Sequence, residues 1–310
     1  MKEKGNLISS GARIAGRHKR YIVWFFVLNL TLAAFGSSGF RAHAHAILDN
    51  NVYADKLLHG FDPVVLIEML SRPEMGSPNS STMPAFYCVF LFFLTTLLFI
   101  PGVLRGYASD ERLPRDKFFS TCGGNLWRFV RLVLFFLLIA VPTFGILSGI
   151  QGALAKLAGE SSSEKLPFYT RCAGFVIIFL IMTTIRVWFD LAQVDVVLRD
   201  EGRVRKSIAI GLRNTRSNLG QLLGSYVLIS TVAVIVLAVG IWVWHVGVPS
   251  SSVLGAFVIG QLILLLWLAA RFWQRAVAVA FYRQKMTEPD MEAQPVPMPA
   301  IGMPSVPEGG

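Results

Sequence analysis

Long apolar runs alternate with short polar connections along this chain, and the run lengths are the first signal. A helix that crosses a bilayer needs roughly 20 apolar residues. Six stretches reach that length, at about 21–40, 84–104, 127–150, 172–190, 224–246 and 253–272. Pro101 and Pro142 fall in the second and third, where neighbouring helices of a bundle accommodate them. The pattern predicts an all-α fold: a polytopic membrane helix bundle of six transmembrane helices.

The connections carry periodicity of their own. In 105–126, Leu113-Pro114 breaks the chain, and Phe118, Phe119, Cys122, Leu126 and Phe129 then recur at helical spacing. That predicts a helix running along the inner interface, weakened by Gly123-Gly124. In 191–223, Asp200-Glu201-Gly202 reads as a turn, after which Val204, Ile208, Gly211, Leu212, Thr215 and Leu219 share one face. Arg203, Arg205, Lys206, Arg213 and Arg216 lie mostly elsewhere. Such a basic amphipathic helix either lies in the headgroup plane or packs on its own bundle, and the stripe fits both equally.

The longest outer connection, 37–83, contains AHAHAILDNNVYADKLLHGFDP. Gly60 suits the left-handed position that ends a helix, Asp62 an N-cap and Pro63 the first helical position, with Phe61 between them. The segment predicts an outer amphipathic helical hairpin whose second arm, VVLIEML, is too short to span.

The chain thus divides into a basic start (1–20), a membrane domain (21–285) and a Pro-rich tail (286–310). The tail has six prolines and almost no large apolar residues, which predicts disorder. The longer connections fall on the outer side in the first half and the inner side in the second. That is the arrangement of an inverted three-plus-three repeat, without a residue-level repeat in support.

Composition agrees with the pattern: 54% hydrophobic and 15% charged, against about 25% charged in a soluble domain. The net charge of +10 would suit nucleic acid, but its distribution argues for a membrane. Lys and Arg number six before the first run, three in 37–83, six in 105–131, three in 151–171, seven in 186–216, none in 247–252 and four thereafter. High and low values alternate at each crossing, so the positive-inside rule places both termini in the cytoplasm. The expected partners are membrane lipids, through anionic headgroups at the inner face, with an unidentified protein partner open and no nucleic acid. The first run is expected to remain as a helix instead of being cleaved as a signal.

Candidate chemistry is sparse. Three of the five histidines, His43, His45 and His59, lie in the outer segment. Zinc needs three or four convergent ligands, and helix punctuation explains GFDP more simply, so no metal or cofactor is expected. Cys88, Cys122 and Cys172 have no paired spacing. At the inner face, Arg186 and Asp190 stand one turn apart, Arg128 and Arg131 start the third run and Arg271 ends the sixth. Charges this close to hydrocarbon tend to pair. The cluster is either a lipid-headgroup or anion site, or a set of snorkelling anchors with one local salt bridge. Trp24, Trp127, Trp188 and Trp273 match an inner aromatic belt, and Trp242 and Trp244 an outer one. No phosphate loop, nucleophile elbow or paired-carboxylate pattern is present.

Three pieces carry a resemblance: NVYADKLLHGFDPVVLIEML, DKFFSTCGGNLWRFVRLVLFF and FDLAQVDVVLRDEGRVRKSIAIGLRN. In them the chain resembles a group of uncharacterised bacterial six-helix multi-pass membrane proteins. It is more faintly similar to the membrane domain attached to some glycerophosphodiester phosphodiesterases. The resemblance implies a six-helix bundle in the bacterial inner membrane with a retained first helix. The function expected is non-enzymatic, organising lipids or partner proteins; the alternative is a small-solute transporter or lipid exporter.

Overall fold

The computed structural model of the protein describes residues 6–48, 64, 67, 71, 78–109, 113–160, 165–199, 202–249 and 252–292. Every element among them is a helix: α1 (Leu7–Arg17), α2 (Lys19–Gly36), α3 (Ser38–Leu48), α4 (Pro78–Ala108), α5 (Arg115–Gly159), α6 (Leu166–Leu198), α7 (Val204–Ser217), α8 (Leu219–Gly247) and α9 (Val253–Glu292). Six helical stretches are long and apolar enough to cross a membrane, the first being α2 continued into α3. They match the six apolar runs, so the protein is a multi-pass membrane protein.

Boundaries differ from the hydropathy reading where polar residues continue a helix. Asn6 caps α1, its side-chain oxygen accepting from the Ile8 amide, so much of the basic start is helical. The break at Leu113-Pro114 is present, but the helix that restarts at Arg115 runs without interruption through Gly123-Gly124 and Pro142 to Gly159. At 45 residues it is roughly twice as long as a hydrocarbon core is thick. α6 continues past residue 190 to Leu198, and α9 continues to Glu292, seven residues into the expected tail.

The spans pair in chain order into three hairpins: α2 with α4, α5 with α6, and α8 with α9. The second members, α4, α6 and α9, also meet one another and make the centre, with α2, α5 and α8 outside them. Ahead of each hairpin lies an amphipathic segment that docks on the second helix of another. The start of α5 packs on α4, α7 packs on α6, and α1 closes the ring on α9. The repeating unit is therefore two spans with a leading amphipathic segment, not an inverted set of three.

Two of these dockings use the same residues. Ile8-Ser9-Ser10-Gly11-Ala12-Arg13 on α1 parallels Ile208-Ala209-Ile210-Gly211-Leu212-Arg213 on α7. Arg271-Phe272-Trp273 on α9 parallels Arg186-Val187-Trp188 on α6. Trp188 Nε1 donates to the Ile208 carbonyl at 2.7 Å, and Trp273 Nε1 donates to the Ile8 carbonyl at 2.9 Å. A Cβ on Gly211 would lie 2.9 Å from the Trp188 carbonyl oxygen, and one on Gly11 3.0 Å from the Val277 amide nitrogen. Only glycine admits such an approach of backbone to backbone. Trp188 and Trp273 are thus latches, whereas Trp24 and Trp127 are exposed, as membrane-facing belt residues would be.

α7 packs on the bundle, on a face rotated from the expected stripe. Val204, Ser207, Gly211, Asn214 and Thr215 are buried, while Leu212 and Leu219 are exposed. The five cations of this segment all remain exposed on the outward side. Buried side chains concentrate at the end of the bundle that carries α1 and α7, here called basal. The opposite, distal end carries the end of α5 with the start of α6, and the end of α8 with the start of α9.

Candidate functional site

The outer turn Gly60, Phe61, Asp62 and Pro63, together with His59, lies outside the described residues. Of VVLIEML, Val64 and Ile67 are helical and exposed. His43 and His45 lie on α3, where a two-residue step turns side chains to roughly opposite sides. Among the described residues no three His, Cys, Asp or Glu side chains converge as a metal site. All three cysteines are free.

The inner-face cluster separates into two parts. Arg128 donates to Asn125 Oδ1 at 3.2 Å, and Arg131 lies over the Trp127 ring, both of these partners being on α5 itself. Arg186, Asp190 and Arg271 lie near one another at the facing sides of α6 and α9. Arg186 Nε is 3.8 Å from Asp190 Oδ2, so the expected one-turn pair forms. Asp190 is buried and also accepts from the Tyr226 hydroxyl at 2.9 Å, from the neighbouring α8. Arg275, one turn beyond Arg271 on α9, lies within electrostatic reach of the same carboxylate. Arg271 stacks over Trp267, with its guanidinium carbon 5.4 Å from the ring centre, and has no carboxylate within 4 Å among the described residues.

Arg186 and Arg271 flank a cavity of about 300 Å³ between the second and third hairpins. Thr183, Ser230 and Gln274 add polar groups to its wall, and Phe136, Phe179 and Trp267 supply apolar surface. Gln274 is buried at 3% exposure. Its Nε2 donates to Ser230 Oγ at 2.9 Å and to the Tyr226 carbonyl at 3.2 Å. A larger hollow of about 500 Å³ lies between Arg105, Ser109 and Lys117. Lys117 and Asp116 at its rim are exposed, so that hollow does not remove a ligand from solvent.

A second polar centre ties the basal elements together. Asp195 is fully buried on α6 and accepts from the Tyr282 hydroxyl of α9. Arg199 Nε lies 3.6 Å from the same carboxylate, with its guanidinium over the Tyr282 ring. Lys285 donates to Asn214 Oδ1 at 2.6 Å, joining α9 to α7.

Sequence reasoning singled out Arg186, Asp190 and Arg271 but missed Tyr226, Gln274 and Arg275. Gln274 and Arg275 lie past the end of the apolar run, where hydropathy stops counting. The one available signal was the repeated Arg-x-Trp, which marks the level at which α6 and α9 meet the amphipathic helices.

What this arrangement can do chemically is bind an anion. Guanidiniums are forked donors suited to phosphate and carboxylate oxygens; Arg186 pairs with Asp190, Arg275 lies within its electrostatic reach, and Arg271 has no carboxylate within 4 Å among the described residues. Comparison with known protein families, with curated proteins and with solved structures gave no match.

Proposed function

We propose that the protein is a non-catalytic multi-pass protein of the bacterial inner membrane that holds anionic lipid headgroups at its cytoplasmic end. One observation carries this reading: Arg186 and Arg271 flank a single cavity of about 300 Å³ whose remaining wall is largely apolar. An amphiphile with a phosphate head and acyl chains matches both surfaces. The exposed cations of α1 and α7 at the same basal end add attraction to an anionic leaflet. The alternation of charge along the connections supports a cytoplasmic basal end.

The test is lipid retention by the full-length protein, measured by native mass spectrometry after release from nanodiscs of mixed composition. One anionic phospholipid should be retained in preference to phosphatidylcholine, and Arg271→Gln should remove the preference. Arg271 is exposed and has no acidic partner among the described residues, so this variant should fold. Equal retention of both lipids by the wild-type protein would defeat the proposal. Reporter fusions near residues 75 and 290 test the topology and should report opposite sides. A small-solute transporter or lipid exporter is the second reading, because the same cavity lies between hairpins that part distally. Solute flux or lipid flipping in proteoliposomes would select it.

A further inference from the structure

The charges around the cavity do not balance. Arg186 and Arg271 line it, and Arg275 stands one turn from Arg271 on α9 without being part of the wall. Arginine keeps its charge even when buried. Among the described residues one carboxylate meets this group. It is Asp190, whose Oδ2 is 3.8 Å from Arg186 Nε and within electrostatic reach of Arg275. Arg271 has no carboxylate within 4 Å among the described residues. Three guanidiniums against one carboxylate leave a surplus of two positive charges. Such a surplus beside an apolar wall is costly, so the ligand that offsets it in full carries two negative charges.

The polar groups of the wall also call for acceptors. Guanidiniums only donate. Thr183 and Ser230 add hydroxyls. Ser230 Oγ accepts from Gln274 Nε2 at 2.9 Å, a contact that does not use its own hydrogen. Asp190 already accepts from the Tyr226 hydroxyl and pairs with Arg186. A phosphate held by a single ester bond brings three terminal oxygens and a charge of about −1.5 to −2 near neutral pH. A phosphodiester has one terminal oxygen fewer and a single charge. The volume, about 300 Å³, is at the lower limit for small-molecule sites, which suits a headgroup that is phosphate alone. A soluble phosphate ester has the same chemistry, but the apolar surface of Phe136, Phe179 and Trp267 favours one joined to acyl chains.

Resting on the anionic-lipid reading above, we infer that the cavity selects a lipid phosphomonoester in its doubly charged form over singly charged phosphodiester lipids. Arg186 and Arg271 take the phosphate oxygens. Arg275 acts through Asp190: by drawing on that carboxylate it leaves more of the Arg186 charge to the ligand.

The experiment uses the full-length protein in phosphatidylcholine nanodiscs doped with either phosphatidic acid or phosphatidylmethanol of the same acyl chains. The two headgroups differ by one methyl group and hence by one ionisable proton. Native mass spectrometry of samples equilibrated at about pH 8 should show phosphatidic acid retained about tenfold more strongly, as one further charge-assisted hydrogen bond would give. At about pH 5, below the second phosphate ionisation near pH 6, phosphatidic acid is singly charged and the ratio should fall to about one. Arg275→Met removes a cation from outside the wall and should bring the ratio at the higher pH to about one, while both lipids still exceed phosphatidylcholine. Equal retention of the two lipids by the wild-type protein at the higher pH overturns the inference. So does a preference that persists on acidification, which would be one of headgroup size, or one that survives Arg275→Met. Displacement of phosphatidic acid by equimolar glycerol phosphate would assign the site to a soluble ester and overturn the choice of a lipid. Failure of both anionic lipids to exceed phosphatidylcholine would instead defeat the proposed function itself. The wild-type comparison at two pH values decides the matter even if Arg275→Met folds poorly.

Discussion

The basal and distal halves of the same helices differ sharply in how they pack. On α5, Cys122, Asn125, Phe129, Leu132 and Ala140 are buried, and only Ala158 is buried beyond them. α6 has no buried residue before Thr183 and eleven from there to Val197. On α8 burial stops at Ala233, and on α9 it begins at Phe272. Yet the distal halves are the more uniformly apolar: Phe175, Val176, Ile177 and Phe179 on α6 are all exposed. Apolarity does not draw helices together in lipid, because the acyl chains are equally apolar. The basal half instead has what membrane helices associate through: close glycine contacts at Gly11 and Gly211, indole-to-carbonyl hydrogen bonds, and two buried carboxylates with their partners. Distally, Gly174 on α6 faces Gln151 and Gly240 on α8 faces Ile263, contacts that hold each hairpin together without joining it to the next.

The strongest way to break this contrast is at Asp190. Asp190→Asn removes the carboxylate that Arg186 and Arg275 share, and loss of one partner from a buried ion pair costs about 3–5 kcal/mol. Thermal unfolding in detergent should show a large loss, partly recovered when Arg275→Met is added. A midpoint unchanged by Asp190→Asn would mean that the basal half does not depend on its charge centre.

A smaller effect comes from a matched pair of glycines. Gly211→Val forces a side chain against the Trp188 carbonyl and Ala192, and overpacking of this kind costs about 1–3 kcal/mol. Gly149→Ala, in the distal half of α5 where nothing lies within 4 Å of the new methyl, should be neutral or stabilise by up to about 1 kcal/mol through helix propensity. The same unfolding assay reads both. Similar losses at the two positions would erase the distinction between the halves.

The smallest effect sharpens the account of α1. His18, at the joint between α1 and α2, is buried at 4% exposure against the rings of Tyr21 and Tyr107. Burial, and then the neighbouring Arg20 and Arg17, push its pKa below 6.5. The folded state therefore favours neutral imidazole. Its contribution is complete above the unfolded value of 6.5 and is lost as pH falls below 6.5 and through the depressed folded value. Acidification from pH 7.5 should loosen α1 first, seen as faster proteolysis at Arg13 and Arg17, and His18→Asn should flatten that dependence. An unchanged pH profile in His18→Asn would place the sensitivity elsewhere.

Hydropathy found the spans because length and apolarity are additive along the chain. It could not find the central triad of α4, α6 and α9, because a helix apolar all round has no face that marks its partner. α8 illustrates this: Tyr226 and Ile229 are buried while Leu228 and Val232 are exposed, although all four lie in one apolar run. The candidate site was half legible. Arg186 and Asp190 betrayed themselves by their one-turn spacing, whereas Arg128 and Arg131 looked equivalent to Arg271 and do not line the cavity that Arg271 lines.

The sequence by itself determined that six segments are long and apolar enough to enter the membrane and that cations gather at alternate connections. These follow from the cost of moving each residue into hydrocarbon, which depends on its own chemistry. Only the tertiary structure decided that the segments work as three latched hairpins, that Trp188 and Trp273 fasten helices as well as lying at a boundary, and that Arg186, Arg271 and Gln274 share one cavity. Those outcomes depend on contacts between residues far apart in the chain, from 20 residues for Trp188 and Ile208 to 265 for Trp273 and Ile8. A local reading of residue types does not contain such meetings.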